Sequence, residues 1–209
     1  PLAVMQNYGT LLQQTDLPEE KRMEYAKAIT DACRGLASMV TNILKLNKLE
    51  NQTIYPEAKA YDLGEQLCEC LIGFEDAWEK KGLEIDTDIE ENIFVKSDPE
   101  LLSLVWNNLF SNAIKFTDPG GSVSLRLKSE GAYAVIGVSD TGCGISQEAG
   151  KHIFEKFYCA DKSRTNSGNG LGLTLVKRVI ELCDGTIEVE SQKNIGTKFI
   201  IKLPNTAKH

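Results

Sequence analysis

No run of eighteen apolar residues occurs in the chain, which excludes a membrane-spanning helix within it, and no basic start, apolar stretch and small-residue cleavage site marks a secretory leader. The six cysteines, Cys33, Cys68, Cys70, Cys143, Cys159 and Cys183, include no C-x-x-C pair, so the expectation is reduced thiols in a cytosolic setting rather than a disulfide frame. Basic residues are outnumbered, and the formal net charge is −7. That balance argues against a nucleic-acid binder and against docking on an anionic membrane surface; an anionic ligand would need a local site. Histidine is scarce, with only His152 and His209. Internal repeats and low-complexity tracts are absent. What is present is 209 residues with 42% hydrophobic content, enough for one domain with a core and a smaller appendage.

The appendage comes first. From Glu19 to Glu50 only Gly35 interrupts a helix-forming run. Ala26, Ile29, Cys33, Leu36, Val40 and Ile43 recur three and four apart with Asn47 next in step, the seam of a coiled coil or bundle. Leu2, Met5, Gly9 and Leu12 make a similar stripe before it, and "TDLPEE" supplies a turn with Pro18 at a helix start. The expected unit is an antiparallel helical hairpin, residues 1–52, half of a dimeric four-helix bundle. A pair of ordinary surface helices is the plainer alternative.

"NQTIYPEAKAYD" breaks the pattern, and a second domain is expected over 57–209. It should hold a helix from about Tyr61 to Lys81, strands "LEIDTDI" and "NIFVKS", and a long helix capped by Asp98 with Pro99 at its first position. A hairpin about Gly131 follows, then a polar stretch from Thr141 to Gly170 containing a short helix, "QEAGKHIFEKFY". A helix from Leu171 to Cys183 and the strands "GTIEVESQ" and "GTKFIIKL" complete it. Helices grouped on a mixed, mostly antiparallel sheet make the class α+β, a two-layer α/β sandwich.

Three short stretches carry chemistry. In "NNLFSNAIKFT", Asn108, Asn112 and Lys115 share one helix face, where carboxamide oxygens suit a hydrated Mg²⁺ and an ammonium suits a phosphate; local hydrogen bonding of the asparagines is the competing explanation. In "SDTGCGI", Asp140 leaves a strand, and Gly142 and Gly144 permit a tight turn and close approach to a flat ligand, although such turns are common without function. In "GNGLGL", Gly168, Gly170, Leu171 and Gly172 open a helix whose free N–H groups favour phosphate. No strand directly precedes these glycines and no G-K-[ST] ending follows, which sets aside dinucleotide and Walker-type folds.

In order and combination, the asparagine helix, the Asp-x-Gly-x-Gly turn, "FEKFY", the second glycine loop and a late "GTKF" strand resemble the ATP-binding domain of sensor histidine kinases, a branch of the gyrase, heat-shock chaperone, histidine kinase and MutL ATPase superfamily. The resemblance covers about residues 60–204. It implies ATP and Mg²⁺ as cofactors, Asn112 and Asn108 at the metal, and Lys115 at phosphate. Asp140 would take the adenine amino hydrogens, with Gly142 and Gly144 beneath the base and Thr197 completing that end through water. Gly168, Gly170 and Gly172 would cradle phosphates, and residues from about 146 to 167 would form a lid carrying Lys162 and Arg164, with Phe154, Phe157 and Tyr158 packing its base. Phe116 and Leu104 depart from the family's usual tyrosine and its usual glutamate or glutamine.

The same resemblance places the phosphoacceptor histidine upstream of Pro1, since the family's acceptor segment ends in Pro-Leu, and gives His152 no acceptor role. It implies a homodimer through the N-terminal helices and a response-regulator receiver domain as recipient of the phosphoryl group. An upstream segment tying a longer protein to the bacterial cell membrane stays open. Two rival readings keep the nucleotide: a nucleotide-gated module without phosphotransfer, and a superfamily ATPase whose hydrolysis closes a dimer.

Overall fold

Asp98 has extended backbone and its Oδ1 accepts from the N–H groups of Glu100 (2.9 Å) and Leu101 (3.2 Å), which starts helix α5 at Pro99. α5 (Pro99–Phe116) buries Leu101, Leu102, Val105, Trp106, Leu109, Phe110, Ala113 and Ile114, a broad apolar face at helical spacing. It is the central helix of the computed structural model, which describes residues 2–50, 58–159 and 170–206. The elements before it are α1 (Leu2–Leu12), α2 (Glu19–Glu50), β1 (Lys59–Asp62), α3 (Leu63–Ile72), α4 (Glu75–Lys81), β2 (Glu84–Ile89) and β3 (Phe94–Ser97). After it come β4 (Ser122–Glu130), β5 (Tyr133–Asp140), α6 (Gln147–Gly150), α7 (Gly172–Leu182), β6 (Thr186–Gln192) and β7 (Gly196–Pro204).

Five strands form one sheet in the order β2-β4-β5-β7-β6; β2 and β4 are parallel and every other pair is antiparallel. The parallel pair is joined by a crossover through α5. Along the strands, Val123, Leu125, Leu127, Ala134, Ile136, Val138, Phe199, Ile201 and Leu203 alternate inward and are buried beneath α3, α5 and α7. The opposite face carries ion pairs between strands, Arg126 with Asp86, Lys128 with Asp88 and Lys198 with Glu190. One covered face and one charged face make the expected two-layer sandwich.

Three sequence expectations change. The helix expected over Tyr61–Lys81 begins as strand: β1 pairs antiparallel with β3 in a separate two-stranded sheet, because Asp62 caps a new helix through Gly64 N–H (2.8 Å). That helix then stops at Gly73, so α3 and α4 are distinct. The helix expected over Gln147–Tyr158 lasts one turn, as α6, and continues as turns with a positive φ at Phe157.

α1 and α2 pack as a hairpin. Tyr8 stacks on Tyr25 at 5.0 Å, and the Cys33 thiol meets Met5 Sδ at 3.4 Å. Val40 and Ile43 of the seam are 49% and 39% exposed, so α1 covers only part of the apolar surface of α2. The last turns of α2 behave differently: Leu46 and Leu49 are buried in the same core as the sheet, and α2 meets α7 there. The domain change expected at residues 51–57 lies outside the described residues. None of the six cysteines is in a disulfide.

Gln66 is a buried polar residue with every group used. Its Oε1 accepts from Tyr61 Oη (2.9 Å) and Trp106 Nε1 (3.0 Å), while its Nε2 donates to Pro99 O (2.7 Å) and Ser103 Oγ (3.0 Å). One side chain thus ties β1, α3 and α5 together, and burial pushes the Tyr61 phenol well above its ordinary range. Gln66→Leu strands several of these partners in a dry core and should cost about 2–3 kcal/mol. Chemical denaturation reads this as a lowered midpoint at unchanged slope; an unaltered midpoint would contradict the network's importance.

Candidate functional site

The site grows from the end of the sheet. Strand register places Asp140 (β5) opposite Thr197 (β7), and Thr197 opposite Ser191 (β6). Residues paired across antiparallel strands share a face, so these three polar side chains form one row on the helix-covered side, where hydrophobic residues stand further along the same strands. Asp140 Oδ1 accepts from Gly142 N–H at 2.9 Å. Burial raises the Asp140 pKa, opposed by the backbone N–H groups of Gly142 and Thr197. A carboxylate so desolvated retains acceptor capacity for a ligand's N–H groups.

Beyond Asp140 the chain makes a turn wedged between two backbones. A Cβ on Gly142 would collide with the carbonyl oxygen of Phe116, and one on Gly144 (φ +61°) with that of Gln192. Cys143 N–H donates to Phe116 O (3.3 Å), Asn194 N–H to Cys143 O (2.7 Å), and Ile145 N–H to Ser191 Oγ (2.8 Å). What demands glycine here is contact with α5 and with the β6–β7 turn, whereas the sequence suggested approach to a flat ligand.

The C-terminal end of α5 is held from a second side by Lys81, at the end of α4. Its ammonium donates to the carbonyl oxygens of Ile114 (2.8 Å), Lys115 (2.9 Å) and Thr117 (2.9 Å). With Phe116 O taken by Cys143, carbonyls that every helix leaves unpaired at this end are accounted for, and a cation meets the negative pole of the helix.

On the exposed side of α5, Asn108 Nδ2 donates to Leu104 O (2.7 Å), which leaves Oδ1 facing the start of α7; a Cβ on Gly172 would sit 2.5 Å from that oxygen. The Asn112 side chain has no hydrogen-bond partner among the described residues. Lys115 is half-buried, its ammonium 5.1 Å from the Phe116 ring centroid. Burial lowers its pKa, with Cys159 acting the other way. α7 begins without a side-chain cap after buried Leu171, so its N-terminal pole faces Asn108 uncompensated by any acidic group in the first turn. Among the described residues no cluster of histidine, cysteine and carboxylate side chains could hold a metal. The oxygen donors offered on this face are the two carboxamide groups, which suit a hard divalent cation such as Mg²⁺, Ca²⁺ or Mn²⁺.

The segment before α7 is anchored further than its expected role as a lid from residue 146 suggests. Ser146 caps α6, Ile153 is buried, Thr174 Oγ1 donates to Phe154 O (3.1 Å), and Phe157 N–H donates to Gly170 O (3.0 Å). Gly170 (φ +67°) lies against the Phe157 backbone, where a Cβ would come within 2.6 Å. Phe154 and Tyr158 pack on the core as expected; Phe157, 55% exposed, does not. His152 pairs with Glu155 (2.8 Å) and leans on Tyr158, a local packing role. Lys162, Arg164 and Gly168, with the rest of 160–169, lie outside the described residues.

The structure therefore brings Asp140, Gly142, Gly144 and Thr197 together at the sheet end, and Asn108, Asn112, Lys115 and Gly172 along α5. Sequence reasoning missed Lys81 and Ser191. Ser191 had a signal, as a polar residue at an inward position of an alternating strand; Lys81 had none, because its partners lie 33 to 36 positions away.

Residues 97–207 match the family described as histidine kinase-, DNA gyrase B- and HSP90-like ATPase, more than half of the chain. The chain belongs to this family. Among curated relatives, the sensor-like histidine kinase SenX3 of Mycobacterium tuberculosis is 35% identical over 196 residues, covering 93% of this chain and 48% of the relative. The circadian input-output histidine kinase CikA of Synechococcus elongatus is 34% identical over 190 residues, covering 88% of this chain and 25% of the relative. The chain thus spans a quarter to a half of these relatives. The solved structure of histidine kinase ThkA in complex with response regulator protein TrrA shares the fold, with a TM-score of 0.80 at 23% identity over 99% of this chain and 58% of that one. The chain carries the ATP-binding catalytic portion of a sensor histidine kinase.

Lys81→Met leaves three helix-end carbonyls without their shared cation and should lower stability by roughly 2 kcal/mol while weakening ATP binding. Lys80→Met, at an exposed neighbour on α4, should do neither. Denaturation and calorimetry on the two variants check this; equal behaviour would remove Lys81 from the account.

Proposed function

We propose that this chain binds ATP·Mg²⁺ between α5, the Asp140 turn and the start of α7, and directs the γ-phosphoryl group to a histidine upstream of Pro1 in the longer protein, from which a response-regulator aspartate receives it. The observation that carries the reading is the polar row at the sheet end, joined through the Gly142–Cys143 turn to the C-terminal end of the helix that carries both asparagines, within a chain of this ATPase family. Asp140 takes the adenine amine, with Thr197 beside it. Asn112 and Asn108 offer oxygens to the metal, and Lys115 meets phosphate, its ammonium kept close by the packing that partly desolvates it. Mg²⁺, when bound with the triphosphate, neutralises charge on the transferring group. Gly170 and Gly172 flank a helix start that has no side-chain cap, where backbone N–H groups meet phosphate. Lys162, Arg164 and Gly168 complete the phosphate side in this reading. Catalysis is positioning rather than covalent chemistry, so the chain needs no nucleophile of its own.

The helical hairpin supports a homodimer. Val40 and Ile43 lie on an uncovered stripe of α2, which a second copy would bury. Ile43→Glu should convert the dimer to monomer in sedimentation experiments while ATP binding is kept; a wild-type monomer would count against the assignment. The complex of ThkA with its response regulator supports a receiver domain as partner. No helix among the described residues is long and apolar enough to cross a membrane, and we place this portion in the cytoplasm, with any anchor upstream.

A version extended upstream, offered γ-labelled ATP, should acquire acid-labile label, and Asp140→Asn should strongly reduce it at limiting ATP. The substitution replaces one acceptor oxygen with a donor facing the adenine amine and should cost about 2–3 kcal/mol of ATP binding. Because the folded pKa of Asp140 is raised, ionisation costs stability as pH rises from the ordinary carboxylate range through that value. Asp140→Asn should therefore fold at least as stably at neutral pH, which separates lost binding from lost fold. ATP binding without acid-labile label would refute phosphotransfer; unchanged affinity in Asp140→Asn would refute the adenine assignment.

A further inference from the structure

Ser191 makes three hydrogen bonds with one hydroxyl. Its oxygen accepts from Ile145 N–H (2.8 Å), stands 2.8 Å from Gly196 O and lies 3.0 Å from Thr197 Oγ1. The donor count resolves the direction of each. A carbonyl oxygen only accepts, so the single Ser191 proton goes to Gly196 O. An amide N–H only donates, so Ile145 uses one Ser191 lone pair. What remains on Ser191 is one lone pair, and Thr197 must donate its own proton to fill it. Thr197, 8% exposed, then has only lone pairs to present.

Asp140 stands directly across from Thr197 and, ionised, is likewise an acceptor without a proton. We infer that Ser191 is a specificity-determining positioning residue: by taking the Thr197 proton, it makes the base-facing edge of the site acceptor-only. Such an edge pairs with the N–H groups of a 6-amino purine and repels the carbonyl oxygen of a 6-oxo purine. This rests on Asp140 being the base-reading carboxylate. A threonine free to rotate could donate to a 6-oxo group and soften the discrimination; held by Ser191, it cannot. Ile145 N–H and Gly196 O, from the turn after Asp140 and the first residue of β7, are the fixed points that orient Ser191 itself.

The experiment compares ATP with ITP, which carries a 6-oxo group in place of the 6-amino group, by calorimetry on wild type, Ser191→Ala and Ser191→Thr. Wild type should prefer ATP. Ser191→Ala should narrow the ATP-to-ITP affinity ratio by about tenfold, through weaker ATP and stronger ITP binding, and Ser191→Thr, which keeps a hydroxyl, should preserve the ratio. A merely structural role predicts equal loss for both nucleotides; that result, or an unchanged ratio in Ser191→Ala, overturns the inference. If Ser191→Ala does not fold, Thr197→Val, which can neither accept nor donate, should lower ATP affinity and leave ITP binding no weaker than in the wild type, and a loss of ITP binding there overturns it equally. A wild type that binds the two nucleotides alike overturns the reading of Asp140 and the inference together, whereas a discriminating wild type with an unmoved Ser191→Ala ratio overturns the inference alone.

Discussion

The end of α5 is where the structure is decided. A helix ends with carbonyls pointing at nothing, and here they are claimed by Lys81 from α4 and by Cys143 from the turn after β5. The residues that claim them come from either side of α5 in the chain, so its C-terminal end is fixed relative to both the α4–β2 corner and the Asp140 turn. Lys115 and Asn112 sit one turn or less from that end, and Asp140 is two residues from the glycine pressed against Phe116 O. Satisfying a backbone requirement thereby sets the spacing between the side that would meet phosphate and the side that would meet a base.

The same economy governs the sheet end. Asp140, Thr197 and Ser191 occupy inward positions that β-alternation would otherwise fill with apolar side chains. Burial raises the Asp140 pKa, so its ionised form is disfavoured by the fold and helped only by two backbone N–H groups. Gln66, also buried, shows the opposite arrangement, since all its groups find partners inside the protein. The contrast separates a polar residue whose groups are all used within the fold from one that keeps acceptor capacity: the first is complete, the second is held open at a cost in stability.

Legibility in the sequence followed locality. The Asp98-Pro99 start of α5, the hairpin about Gly131, and the boundaries of α7 within one residue all rest on neighbours in the chain, and each could be read. β1 could not, because "KAYD" becomes a strand only by pairing with β3, while Asp62 reads equally well as an interior helix residue or a cap. Asn108 and Asn112 were visible as carboxamides sharing a helix face with Lys115, and Asp140 as a carboxylate at the end of a strand before a glycine turn. Lys81 looked like any lysine at a helix C-terminus beside a glycine, and its three acceptors are set by tertiary contact alone. Gly142 and Gly144 were noticed, but whether glycine was needed for a ligand or for backbone packing required coordinates.

α7 links the site to the helical hairpin. Its first residue lies against Asn108 Oδ1, and its body, through Leu175, Val176, Val179 and Ile180, is buried in the core that also receives Leu46 and Leu49 of α2. Close-packed interiors do not stretch: a shift of α2 that left α7 in place would open voids around two leucines that are 4% and 1% exposed. α7 also packs on α5, and at its start a Cβ on Gly172 would lie 2.5 Å from the Asn108 carboxamide oxygen. One helix thus packs on the last turns of α2 through its body and stands beside the asparagine face of α5 at its start, while the sheet end is braced separately by the wedged turn.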